Sequence, residues 1–171
     1  PRAGTIIYCM QDSPLSVMLN LATELAVEAG SISLARFGKV IARRKPDDSV
    51  VTDTDDAIQA HIVHRLSEAY PDHAILAEET PRRGCDHGDP TSAGYVWVVD
   101  PLDGTRNYAS GLSCFATSIA VLEQGRPVIG VVYEPNLRHL YTAWRGGGAS
   151  LNGRAIRVEE PPTSHDHLIG V

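Results

Sequence analysis

Trp97-Val98-Val99-Asp100-Pro101-Leu102-Asp103-Gly104-Thr105 is the stretch on which the reading of this chain turns. Three apolar residues running into an aspartate predict a buried strand, and Pro101, which has no N–H to give to a sheet, predicts that the strand ends there. Two carboxylates, Asp100 and Asp103, are thereby left in one tight turn. Gly104 and Thr105 follow, a small residue and a hydroxyl where a helix can open and present free N–H groups to an anion. Hard oxygen ligands beside an anion-binding turn point to a magnesium and phosphate site.

Working outward, Ser13-Pro14 reads as an N-cap followed by proline in the first turn. Leu15, Met18, Leu19, Ala22, Leu25, Ala26 and Ala29 then recur at helical spacing, predicting a helix to about Phe37 with Gly38 as its stop. Arg43 to Ser49 is charged and turn-forming. A second helix begins near Thr54, carries Ile58, Ile62, Leu66 and Ala69 on one face, and ends at Tyr70-Pro71. Asp53, Asp55 and Asp56 in its first turn have capping as their simplest role. An EF-hand fails there, since neither the central glycine nor the closing glutamate is in place.

Ala74 to Ala77 predicts a short strand that delivers Glu78 and Glu79 at its C-terminal end. Thr80 to Gly94, rich in Gly, Pro, Arg and Asp, is expected to be a long loop. Beyond the central motif, Phe115 to Leu122, Val128 to Tyr133 and His139 to Trp144 read as strands. Gln124-Gly125 and Pro135-Asn136 are turns, Gly146-Gly147-Gly148 interrupts, and Asn152-Gly153 is a strong hairpin signal returning through Arg154 to Val158. Thr5 to Met10 and the chain end at His167 to Val171 are candidate short strands. The expectation is an α+β fold: one domain over residues 1–171, with two N-terminal helices on a largely antiparallel sheet.

The 171 residues, 43% apolar with a net charge of −6, match an ordinary globular protein and argue against a nucleic-acid partner. Cys9, Cys85 and Cys114 are odd in number and widely spaced, which suits reduced thiols and a cytoplasmic location. No apolar run approaches the roughly 18 residues of a membrane span, so no membrane partner is expected.

Glu78, Asp100, Asp103 and, from a helix start, Asp55 are the candidate ligand carboxylates, with the Leu102 carbonyl as an extra oxygen. Such acids repel one another unless cations stand between them. Magnesium there would polarise a phosphate and activate a water, which Glu78 and Thr105 could orient. Competing chemistries fail on particular residues. An aspartyl-phosphate mechanism of the D-x-D-G-T kind needs an acid where Pro101 stands, and a P-loop needs Gly-Lys-Ser/Thr. His61 and His64 share a helix face without a compact zinc set. Cys85 with His87 and His165 with His167 are incidental pairs, and no Ser-His-Asp arrangement can be assigned.

At Trp97 to Tyr108 the chain resembles the inositol monophosphatase family, which is related to fructose-1,6-bisphosphatase-like sugar phosphatases. Ile75 to Glu79, Val51 to Asp55, Gly130 to Tyr133, Gly146 to Ala149 and Leu151 to Gly153 reinforce the likeness, which runs from about Leu21 to Val158. The resemblance implies magnesium-dependent hydrolysis of a phosphate monoester by an activated water, two or three Mg²⁺ ions, an αβαβα layered fold and a homodimer. Glu78, Asp100, Asp103 and the Leu102 carbonyl would hold metal, with Asp55 bordering a weaker position. Asp103, Gly104 and Thr105 would meet the substrate, Thr105 and Glu78 would position the water, Glu79 would support them, and Lys45 would lie near the site or on the surface. The sequence departs from the family at Ala77, where glycine is common, and lacks the Trp-Asp motif of the family's C-terminal half. A fragment, or a catalytically incomplete metal-binding or dimerisation remnant, is the alternative expectation.

Overall fold

The computed structural model describes residues 13–46, 48–78, 80–83 and 93–158, with the backbone path alone for 80–83. The expectations at Thr5 to Met10, His167 to Val171, Cys9, Cys85 with His87, Glu79 and His165 lie outside them.

Helix α1 (Pro14–Arg36) starts where Ser13 accepts a hydrogen bond from the Ser16 N–H at 3.2 Å, with Pro14 in its first turn. It ends at Phe37, and Gly38 leaves it at φ 75°. Strands β1 (Ala42–Arg44) and β2 (Val50–Thr52) form a small antiparallel hairpin that feeds helix α2 (Asp53–Ala69). The charged segment at Arg43 was expected to be only a turn. Its hairpin is held by Arg44 pairing with Asp48 and by Asp48 adopting φ 68°, a local arrangement that period-2 patterning does not reveal.

The remaining strands are β3 (Ala74–Ala77), β4 (Thr80–Arg83), β5 (Tyr95–Asp103), β6 (Ala116–Glu123), β7 (Arg126–Glu134), β8 (His139–Trp144), β9 (Gly148–Leu151) and β10 (Arg154–Ile156); a short helix, α3 (Thr105–Ala109), follows β5. They build one sheet in the order β10-β9-β8-β7-β6-β5-β3-β4. Every pairing is antiparallel except β3 with β5. The antiparallel meander matches the sequence expectation, and Asn152-Gly153 turns at φ 49° and 76° as a tight hairpin requires. Thr80 to Arg83 corrects it: the start of the expected loop pairs antiparallel with β3.

Side chains alternate across the sheet, so Ile75, Trp97, Val99, Ile119, Val121, Ile129 and Val131 face one side and are buried there. Helix α1 lies over β6 to β8 and α2 over β3 and β5. They close this layer with Met18, Ala22, Leu25, Ala26, Ala29, Ile58, Ile62 and Leu66. Across the helix pair, Glu28 accepts from Arg65 at 3.0 Å and meets His61 Nε2 at 2.7 Å, so His61 is a partnered surface residue. One sequence expectation needs amending. With 23 residues and a window of mean hydropathy 1.2, α1 is long and apolar enough to cross a membrane by length and composition. Its buried stripe against sheet and α2 is that of a core helix.

Leu25 is fully buried between the layers. Leu25→Ala should therefore lower stability by about 2–5 kcal/mol, through lost transfer energy and a residual cavity. Urea unfolding checks this, and a loss below about 1 kcal/mol would contradict the packing described.

Candidate active site

The parallel pairing of β3 with β5 creates the site. Its register sets Leu76 beside Val98 and Ala77 beside Val99, and the Glu78 N–H donates to the Val99 carbonyl at 3.3 Å. One residue further on, Glu78 and Asp100 leave adjacent strands on the same face, the one away from the helices. They end an apolar strip of Leu76 and Val98, and the four residues line a cavity of about 310 Å³.

Two carboxylates side by side need a proton or a cation between them. Burial first, then the neighbouring charges of Glu78 and Asp103 and a hydrogen bond with Glu78, push the Asp100 carboxyl up to about 7; the Leu102 N–H, donating to Asp100 Oδ1 at 3.2 Å, offsets this in part.

Pro101 does not end the strand as the sequence predicted. Strand β5 continues to Asp103 through an irregularity: Asp100 pairs with Ser118 and Asp103 with Ala116, so four residues on one strand face three on the other. The missing proline N–H is accommodated in the bulge, and the Pro101 carbonyl accepts from the Thr117 hydroxyl at 2.9 Å. Gly104 then turns at φ 84° into α3. A Cβ there would stand 2.8 Å from the Cys114 carbonyl oxygen, so both conformation and space demand glycine.

The Thr105 hydroxyl lies 2.8 Å from Asp55 Oδ1 and 2.8 Å from the Leu102 carbonyl, two acceptors for one proton. Asp55 is buried, and its other oxygen accepts from the Thr52 N–H at 2.9 Å and from the Thr52 hydroxyl, completing a capping box on α2. The capping role read from sequence is therefore real, and the same carboxylate also fixes Thr105. Tyr108, which the sequence reading did not single out, anchors α3 from below. Its hydroxyl donates to the Ser33 carbonyl at 2.7 Å, and its ring packs on Phe115 and Phe37. An aromatic three residues after Thr105, one helical turn on, was the available signal.

The structure thus forms two subgroups: Glu78 with Asp100, and Asp55 with Thr105 and the Leu102 carbonyl. Asp103 is exposed and reaches Asp100 through charge. Lys45, from the turn of the β1–β2 hairpin, places Nζ 3.7 Å from Glu78 Oε1. Among the described residues no three Asp, Glu, His or Cys side chains are gathered to hold a metal ion as they stand. The donor chemistry nevertheless fits magnesium, which is commonly held by one or two carboxylates and completes its octahedron with waters and substrate phosphate. Cys114 is a free, exposed thiol.

Helices on a largely antiparallel sheet, with a bulged acidic strand and a hydroxyl-bearing turn at one end, make this an α+β fold with its polar groups gathered at one sheet end. The chain belongs to the inositol monophosphatase family, which it matches over residues 14–171. It is 40% identical over 156 residues to the protein named Nus factor SuhB of Pseudomonas aeruginosa, covering 90% of this chain and 56% of that one. It is 38% identical over 159 residues to the inositol-1-monophosphatase of Mesorhizobium japonicum, covering 91% and 58%. Among solved structures, the Thermotoga maritima IMPase superposes with TM-score 0.77 at 32% identity, covering 85% and 55%. An IMPase/NADP phosphatase complexed with Mg²⁺ and phosphate superposes with TM-score 0.74 at 28% identity, covering 88% and 55%. The chain spans about half the length of the curated relatives it matches.

The raised Asp100 carboxyl has a consequence for stability. Between about pH 4 and pH 7 the folded chain keeps a proton on Asp100 that the unfolded chain has released, so this residue's contribution falls as pH rises through that window and stays low above it. The metal-free wild type should therefore lose thermal stability relative to Asp100→Asn on going from pH 5 to pH 8. Scanning calorimetry of both proteins checks the sign; a constant difference would contradict the coupling.

Proposed function

We propose that the intact protein hydrolyses a phosphate monoester of a small molecule, an inositol monophosphate or a related sugar or nucleotide phosphate, in a magnesium-dependent reaction. The observation that carries this reading is the meeting of Glu78 and Asp100, whose mutual repulsion a divalent cation relieves, at the strand ends beside the bulge that leads to Thr105. Membership of the family and the likeness to an IMPase/NADP phosphatase complexed with Mg²⁺ and phosphate support it.

In this reading Glu78, Asp100, Asp103 and the Leu102 carbonyl hold Mg²⁺, with Asp55 bordering a further position and two or three ions in the complete site. The bound ions would polarise the phosphoryl group and acidify a water. Asp103, Gly104 and Thr105 receive the phosphate at the opening of α3. The Thr105 oxygen, its proton directed to Asp55 or Leu102, keeps lone pairs for a hydrogen bond from the attacking water, and Glu78 accepts that water's proton. Lys45 offsets charge on Glu78. The reading includes a cytoplasmic homodimer that binds neither nucleic acid nor membrane.

A second reading, a catalytically incomplete metal-binding or dimerisation remnant of the family, draws on the separation of Asp55 and Thr105 from the Glu78–Asp100 pair. Phosphate release with and without Mg²⁺ separates the two. We expect Mg²⁺-dependent release from at least one of inositol 1-phosphate, histidinol phosphate, fructose 1,6-bisphosphate and 3′-phosphoadenosine 5′-phosphate. Disturbing an outer partner of a metal site costs about 10–100-fold, so Asp100→Asn should cost at least about 100-fold with the fold retained by circular dichroism. Unchanged turnover in that variant would refute the assignment.

A further inference from the structure

Thr117 is a polar side chain in an apolar place. Ile119 and Val121 of the same strand face the helices, so strand alternation turns Thr117 toward that side too. It is 1% exposed there, and a buried hydroxyl costs free energy unless it is bonded. Valine, of nearly the same shape, would pack without that requirement. The hydroxyl finds its acceptor in the Pro101 carbonyl at 2.9 Å. Register explains the choice. Ser118 pairs with Asp100 and Ala116 with Asp103, so Thr117 is the residue of β6 that faces Pro101 and Leu102 in the bulge. On its other side β6 is locked to β7, with Thr117 opposite Tyr133.

The Pro101 carbonyl and the Leu102 N–H belong to one trans peptide, so they point opposite ways from one rigid plane. The carbonyl end takes the Thr117 hydroxyl on the helix side of the sheet. The N–H end donates to Asp100 Oδ1 at 3.2 Å on the open side, where Asp100 meets Glu78. A hydrogen bond at one end of a peptide polarises the other end and strengthens its bond. Leu102, buried, is the pivot. The peptide before it holds Asp100, and the peptide after it carries the carbonyl that accepts from Thr105 at 2.8 Å. We propose that Thr117 is a positioning residue of the cation site: by fixing the Pro101–Leu102 peptide it keeps the Asp100 carboxylate and the Leu102 carbonyl in the orientation that binds Mg²⁺. This role rests on the metal site proposed above and adds to it a residue from outside the ligand set. Thr117 is set back from the open face and acts through a single peptide plane on two of the ligands. Outer partners of that kind account for about 10–100-fold in metal affinity.

The test titrates Mn²⁺ into the full chain without substrate and follows free Mn²⁺ by electron paramagnetic resonance. Wild type is compared with Thr117→Val, Thr117→Ala and Thr117→Ser, each checked for folding by circular dichroism. We expect affinity to fall about tenfold in Thr117→Val and Thr117→Ala, and to stay within about twofold of wild type in Thr117→Ser, which keeps the donor. Without metal, exchange of the Leu102 amide proton should quicken in Thr117→Val and not in Thr117→Ser. Equal affinity in wild type and Thr117→Val overturns the role. So does an equal loss in Thr117→Val and Thr117→Ser, which would show a packing effect. Mn²⁺ binding by wild type with no phosphate release from any substrate would defeat the phosphatase reading alone, and the affinity ratio would still decide for or against Thr117. A wild type that binds no Mn²⁺ overturns both.

Discussion

One pair of parallel strands sets the character of this protein. In a sheet otherwise built of antiparallel neighbours, β3 and β5 run side by side in the same direction, and their carboxyl ends arrive together. Parallel register puts Glu78 beside Asp100 on one face. The result is a concentration of negative charge at a sheet end that is partly desolvated, an arrangement that hydrophobic packing alone would not favour. Helices α1 and α2 fasten the opposite face with a continuous apolar layer, which anchors the strands that carry the two acids.

Around that pair, each neighbouring feature supports geometry. The bulge at Pro101 and Leu102 lets β5 continue while freeing a carbonyl to meet Thr105, and Gly104 makes a turn in which a Cβ would crowd the Cys114 carbonyl. Asp55 serves two purposes at once, capping α2 and orienting the Thr105 hydroxyl, so the start of one helix is tied to the start of another. Tyr108 and the aromatic contacts of Phe37 and Phe115 form a small second core beneath α3. Support of this kind holds Thr105 and Asp55 in one geometry.

Much of this was legible in the sequence because the local signals agree with the global fold. The stripe from Leu15 to Ala29, the alternation through the meander and the Asn152-Gly153 turn each follow from period and turn chemistry. That Glu78 and Asp100 would come together was legible from their places after two short apolar runs, and the parallel pairing sets them side by side. The misreadings share a physical origin. Pro101 is permitted in β5 because a bulge and the Thr117 hydroxyl take over from the ladder, and no residue pattern near Pro101 records a partner sixteen positions away. Strand β4 is defined by its backbone pairing with β3, and the β1–β2 hairpin by pairing together with the Arg44–Asp48 contact, so neither carries the apolar alternation that announces a strand. The separation of Asp55 from the Glu78–Asp100 pair depends on how helices and sheet are layered, which spacing along the chain does not encode.

The central claim is that Glu78 and Asp100 stand together because a divalent cation belongs between them. Anomalous diffraction from crystals soaked in Mn²⁺ near pH 8 tests it most directly. The account predicts a single-ion peak or a peak pair within bonding distance of both carboxylates. A map with no peak there, and the two side chains still in mutual hydrogen-bonded contact, would contradict it.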